Sequence, residues 1–401
     1  MPDILGQGGD REPRRWPRLV VVLAVLAVAA AEVALHLPRS RPAPAPPRQA
    51  ATGRAPLPIS APVAAGLAGQ ASGISGRTLP WDASLRLPVS GAQPAWLWPA
   101  TGRAERIAGL PRNAAGYQFI RVGGGWAVQA APDADSGCGN CAGPPLPVYF
   151  LANGARAVSQ VGLASDVAPG AAAGTLWLTS YPAGADPGTA AGTAREVSVA
   201  GAPLGPEIRL PAGYVIYQAT ERGLLLAPVA AAPGATSDQL WDPATGRSGR
   251  TFAGVVAASA NEVAWAPGCT GACRVQVLNL GTGRQTTVEL PGVSSAASAS
   301  FSPDGRLLAV EVSFYNGGDG GQLATQLDVA SAASGRVSVV PGTWVSSDAL
   351  AGFGWPAAGD TLIAELSFTT RVQVASWQPG TPRLAVAAIA PGQNSASLIV
   401  G

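Results

Sequence analysis

Four cysteines stand in two short pairs, Cys138-Gly-Asn-Cys141 and Cys269-Thr-Gly-Ala-Cys273. Thiols at such spacing can close a small disulfide loop, exchange electrons, or share a zinc ion. A redox Cys-x-x-Cys belongs in a βαβ surrounding. Each pair here lies instead between two apolar runs of strand character: Trp126–Ala130 and Val148–Leu151, then Val263–Trp265 and Val275–Leu280. Four thiolates would satisfy zinc, but the pairs are far apart in the chain. The simplest expectation is two disulfides, each pinning a hairpin tip. Loops this small remove little unfolded-state entropy, so the gain is local rigidity.

The chain has one histidine, His36, inside an N-terminal apolar segment. Ser-His-Asp triads, Cys-His pairs and His-ligated metals are therefore excluded from the folded body. Aspartate and glutamate together number 24, which leaves carboxylate-only chemistry open. A glycosidase-type pair needs two acids roughly 5–10 Å apart. Asp304, Glu311, Asp328 and Glu365 are the acids in the best-patterned stretches, and they read as turn or strand-edge residues with no evident pairing. Asp319, in Asn316-Gly-Gly-Asp-Gly-Gly321, is one carboxylate where calcium wants several. Asp133 and Asp135 are better placed for calcium, yet both stretches read as solvated loop tips. Gly123-Gly-Gly-Trp126 opens no helix and so lacks the anion-binding end of a phosphate loop. These motifs point to no catalytic residue, no metal and no cofactor.

What must position any site is a body rich in turns. Gly numbers 51 and Pro 37, while charged residues are 12% against 47% hydrophobic ones. There is no lysine, so every basic side chain is arginine, a pattern that fits a high-GC bacterial genome. A net charge of +2 gives no nucleic-acid surface.

Residues 1–18 are expected to be cytoplasmic. Leu19–Leu37 is apolar, follows Arg11, Arg14, Arg15 and Arg18, and as a helix would span roughly 28 Å, near the hydrocarbon thickness of a membrane. It reads as a transmembrane signal anchor; the competing reading is a cleaved signal peptide ending at Ala29-Ala30-Ala31. Either way the body is exported, with its partner expected to be another extracytoplasmic or membrane protein. Residues 38–76 are Pro/Ala-rich, lack aromatics to build a core, and read as a disordered spacer.

From about residue 77 to 401 no helical periodicity of useful length remains, and the apolar runs recur. One unit joins an aromatic, a Pro and a Gly turn to an apolar strand, as in Ala299–Val312 (ASFSPDGRLLAVEV) and Ala351–Leu366. A second unit is an outer strand with a tight T-G-R or S-G-R turn: Leu97–Arg103, Leu240–Arg247, Leu278–Arg284 and Val329–Arg336. Units open near Tyr117, Leu163, Tyr214, Gly254, Ala296 and Asp348. That spacing predicts an all-β propeller of four-stranded antiparallel blades. Seven blades are expected, with six or eight as alternatives, the leftover strands Pro94–Ile107 and Ser395–Val400 sharing the closing blade.

The F-S-P-D-G-R-L-L-A-V string and the T-G-R turns resemble TolB-like and WD-type β-propeller repeats, here in a membrane-anchored, actinobacterial form. The resemblance implies a scaffold, with Pro303, Asp304 and Gly305 as turn chemistry. Trp96, Trp98, Trp177, Trp265, Trp344 and Trp355 could stack on sugars, but blade packing accounts for them more simply. The expected role is an extracytoplasmic binding or protein-interaction module. Alternatives are a carboxylate-dependent carbohydrate enzyme and a sensor ectodomain of a signalling assembly.

Overall fold

Leu308, Ala309, Val310 and Val312 are successive or alternating residues of one strand, and all four are fully buried. Alternate residues point to opposite faces, so this strand is covered on both sides. The chain meets that demand with seven antiparallel sheets in a ring. This computed structural model describes residues 79–389 apart from positions 84, 90–92, 113, 115, 132–143, 230–236, 270–271, 316–321, 346–349, 357–359 and 369–370.

Blade 1 holds β1 (Leu87–Val89), β2 (Ala95–Trp98) and β3 (Arg103–Arg106). Blade 2 holds β4 (Gly116–Val122), β5 (Gly125–Ala131), β6 (Leu146–Ala152) and β7 (Ser159–Ala164). Blade 3 holds β8 (Asp166–Pro169), β9 (Thr175–Ser180), β10 (Thr193–Ser198) and β11 (Ile208–Arg209). Blade 4 holds β12 (Tyr214–Thr220), β13 (Gly223–Pro228), β14 (Asp238–Asp242) and β15 (Arg247–Phe252). Blade 5 holds β16 (Val255–Ala258), β17 (Glu262–Trp265), β18 (Ala272–Asn279) and β19 (Gln285–Pro291). Blade 6 holds β20 (Ser295–Phe301), β21 (Leu307–Tyr315), β22 (Gln322–Ser331) and β23 (Val337–Val339). Blade 7 holds β24 (Leu350–Gly354), β25 (Leu362–Phe368), β26 (Arg371–Trp377) and β27 (Ala385–Ile389). Within each blade the strands pair in chain order, the first innermost where the blade has four.

Apolar clusters between neighbouring blades hold the ring. Val275, Val277 and Leu290 of blade 5 pack on Leu308, Val310 and Val312 of blade 6. Trp81, Leu87 and Leu97 meet Ile363 and Val374 of blade 7, and Trp96 and Ile107 meet Trp126, Val128 and Leu151 of blade 2. Blade 1 therefore closes the circle on both sides. Each fully buried Leu or Val contributes about 1.5–3 kcal/mol by leaving water. Leu79 also bridges in parallel to Ala385, its amide donating to the Leu384 carbonyl at 2.7 Å.

The repeat is visible in the backbone. Gly102, Gly246, Gly283 and Gly335 close the turns to the outer strands with φ of 67°, 68°, 72° and 70°, a region that costs a side chain but not glycine. Each donates its amide to the carbonyl four residues earlier, at 2.8–2.9 Å. The innermost strands of blades 4 to 7 each carry a register shift at the same point, so Gln218, Ala257, Ser298 and Gly352 are equivalent positions.

Two expectations need correction. Leu163 does not open blade 3: it lies in β7, the outer strand of blade 2, and β8 begins at Asp166. The front of the ring also holds one more strand than Pro94–Ile107 suggested, because β1 precedes it. The expected closing strand Ser395–Val400, the anchor Leu19–Leu37 and the spacer 38–76 lie outside the described residues. Among the described residues, no helix is long and apolar enough to cross a membrane.

Candidate functional site: the central channel

Innermost strands converge on the ring axis, so whatever they carry lines a central channel. Six of them, β4, β8, β12, β16, β20 and β24, enclose a cavity of about 1090 Å³. Much of the wall is small: Gly123, Gly124, Gly170–Ala173, Ala257–Ser259 and Ser298–Ser300. Among the described residues, three formally charged side chains line it, Arg121, Asp166 and Glu311, together with Tyr217, which keeps 42% of its surface exposed.

Arg121 leaves β4 and donates to the carbonyls of Trp355 and Pro356, the latter at 2.8 Å. Burial lowers its pKa to about 10, which leaves it a cation at neutral pH. Asp166 opens β8, and its Oδ1 accepts from the Val167 amide at 2.9 Å. Burial pushes this carboxyl up, and that hydrogen bond pulls it part of the way back. Glu311 sits on β21 opposite Ser298, whose hydroxyl donates to Oε2 at 2.8 Å.

Asp166 belongs to blade 3 and Glu311 to blade 6. Three blades apart is the widest separation a ring of seven allows. The two channel acids therefore do not form a pair on one wall. Glu365 occupies the position in blade 7 equivalent to Glu311, opposite Gly352, but is buried at 5% exposure. Asp328 is buried in β22 and accepts from the Gln326 side chain at 2.6 Å; burial raises its pKa. Asp304 lies in the turn between β20 and β21. It accepts from the Ser302 hydroxyl at 2.7 Å, the Arg306 amide at 3.1 Å and the Arg306 guanidinium. Gly305 follows at φ 71°. The Pro-Asp-Gly unit is turn chemistry.

Cys269 and Cys273 form a disulfide between β17 and β18, and Cys273 is fully buried among the blade 5 to blade 6 cluster. Cys138, Cys141, Asp133, Asp135, Asp319 and His36 lie outside the described residues. Among the described residues, no group of three or more His, Cys, Asp or Glu side chains is arranged to hold a metal. Trp96, Trp177, Trp265 and Trp355 are buried between blades; the Trp355 indole donates to the Ser300 carbonyl at 3.0 Å. Packing explains them.

Sequence reasoning did not single out Arg121, Asp166 or Tyr217. The signal was positional: each lies in the first strand of its unit, and that strand faces the axis.

The fold and its channel define a seven-bladed β-propeller. No protein-family model and no curated protein sequence matches the chain. Among solved structures it resembles a prolyl endopeptidase at 14% identity and TM-score 0.50, over 95% of this chain and 56% of that one. The β-propeller domain of the Trilobed protease from Pyrococcus furiosus aligns at 9% identity and TM-score 0.45, over 74% of this chain and 86% of that one. TolB from Acinetobacter baumannii aligns at 11% identity and TM-score 0.36, over 67% of this chain and 66% of that one. The chain thus spans little more than half of the prolyl endopeptidase. What it shares with that protein is the fold.

Proposed function

We propose that this protein is a membrane-anchored, extracytoplasmic propeller that binds another protein at the mouth of its central channel. The observation that carries the reading is the channel wall: Gly, Ala and Ser over about half of it, an exposed tyrosine, and two acids on blades three apart. A hydrolase working with two carboxylates needs them roughly 5–10 Å apart, so Asp166 and Glu311 would have to meet across the channel and not along one wall. An accessible ring lined by Gly, Ala, Ser and an exposed Tyr217 suits an inserted loop or chain end, because tyrosine supplies contact area at low entropic cost. The prolyl endopeptidase named above is a peptidase by its title. The present chain has its one histidine at position 36, before the propeller, so a histidine-based peptidase site within the ring is not part of the proposal.

Crosslinking of the tagged full chain in cells, followed by identification of captured proteins, tests this. A discrete partner, lost when Tyr217→Arg puts a bulky cation on the channel wall, is the expected result. Release of sugars from a glycan panel, abolished by Glu311→Gln, would replace the reading with the carbohydrate enzyme.

A further inference from the structure

A second cavity, of about 390 Å³, opens beside the turn between β14 and β15 at the outer margin of blade 4. Its volume falls in the range of small-molecule sites. Arg222, Arg247 and Arg250 all line it, over a floor that includes Leu240 and Trp241. None of the three is ion-paired with a carboxylate among the described residues.

Two of these arginines are held in place. Arg222 donates through Nε and Nη2 to the Leu280 and Gly281 carbonyls of blade 5, each at 3.2 Å. Arg250 lies over the rings of Phe252 and Trp265, at 5.5 and 5.1 Å, and donates to the Gln285 side chain at 2.9 Å. Clamping and stacking account for those two. They do not account for Arg247, which is exposed beside them and makes no side-chain ion pair among the described residues. Three cations share this cavity with one carboxylate, Asp242, which stands opposite Arg247 across β14 and β15 without an ion pair, so like-charge repulsion is only partly offset. Asp242, the acid in the lining, is turned into its own turn, accepting from the Thr245 hydroxyl at 2.7 Å and the Ala244 amide at 2.9 Å. Its carboxylate is thereby held below the usual range, so it stays charged and the cavity carries a net positive charge.

We propose that this groove binds a small ligand bearing at least two anionic oxygen groups, phosphate or carboxylate. The held guanidinium groups of Arg222 and Arg250 lose little further freedom on meeting such groups, and the free fork of Arg247 can hold one bidentately.

Calorimetric titration of the full chain in nonionic detergent at low salt, with pyrophosphate and separately with citrate, is the test. The expected result is saturable binding of at least one, with a Kd of about 1 mM or tighter. Pyrophosphate alone assigns phosphate chemistry, and citrate alone assigns polycarboxylate chemistry. Arg247→Ala is expected to weaken binding about tenfold or more, while Arg336→Ala, an exposed turn arginine of blade 6, leaves it unchanged. No saturable binding of either compound, or equal weakening by both substitutions, overturns the proposal.

Discussion

Arg121 of blade 2 donates its guanidinium hydrogens to the backbone carbonyl of Trp355 in blade 7, although blade 1 stands between them in the ring. The Trp355 indole in turn donates to Ser300 of blade 6. One chain of polar contacts thus ties three blades along the channel wall. Hydrogen bonds from a charged donor contribute about 1.5–3 kcal/mol each way they are measured. Arg121→Met should lower unfolding free energy by about 2 kcal/mol in urea titrations, and Arg121→Lys should not restore it, because a single ammonium cannot span two carbonyls. Full rescue by lysine would show that charge alone matters.

Gly305 and Gly102 share a positive φ, 71° and 67°, but not a neighbourhood. A Cβ at Gly305 would run into the Glu262 carboxylate, which Ser259 at 2.7 Å and Asn279 at 3.1 Å hold in place. A Cβ at Gly102 meets nothing within 4 Å. Gly102→Ala should therefore cost about 1 kcal/mol of backbone strain, and Gly305→Ala about 2 kcal/mol or more. Paired chemical denaturation of the two variants checks the difference; equal losses would remove the role assigned to Glu262.

The Cys269–Cys273 disulfide closes a very short loop. Loop-closure entropy at this length amounts to about 2 kcal/mol, so replacing both cysteines with alanine should lower the melting temperature by a few degrees without unfolding the ring. Collapse of the whole fold on reduction would assign the bond a larger role.

Burial lifts the Asp166 carboxyl above its ordinary 3.8. The folded protein then holds that proton more tightly than the unfolded chain. Its favourable share is fully present below pH 3.8 and is lost as pH rises through the folded value. Asp166→Asn stays neutral and can still accept from Val167. It should melt higher than the parent at pH 7, with the gap closing as the pH approaches 3.8. Melts across that window decide it: a constant gap would mean that titration is not the cause.

Local chemistry made the blades legible in the sequence. Pro303-Asp304-Gly305 and the T-G-R turns specify their own backbone, whatever surrounds them. Blade 3 was misplaced because Leu163 is an apolar residue left 54% exposed on an outer strand, where it imitates the start of an inner one. β1 escaped notice because Pro88 sits in its middle, and proline argues against a paired strand unless one edge is free. The channel was illegible for a different reason. Its wall draws residues from six strands scattered across more than 200 positions, and neither size nor periodicity marks them. The arginine groove likewise joins a turn after β12 to a strand 25 residues later.

The bridge from Leu79 to Ala385 has a mechanical consequence. The chain arriving from the N-terminal side is fastened to the outer strand of the last blade before it enters the first. Among the described residues, tension applied from that side reaches the Leu79–Leu384 hydrogen bond first, then Trp81 in its apolar seat, and only afterwards β1. The seam between blades 7 and 1 is where a pull would begin to unzip the ring, and the contacts made by Leu79 and Trp81 act as its strain relief.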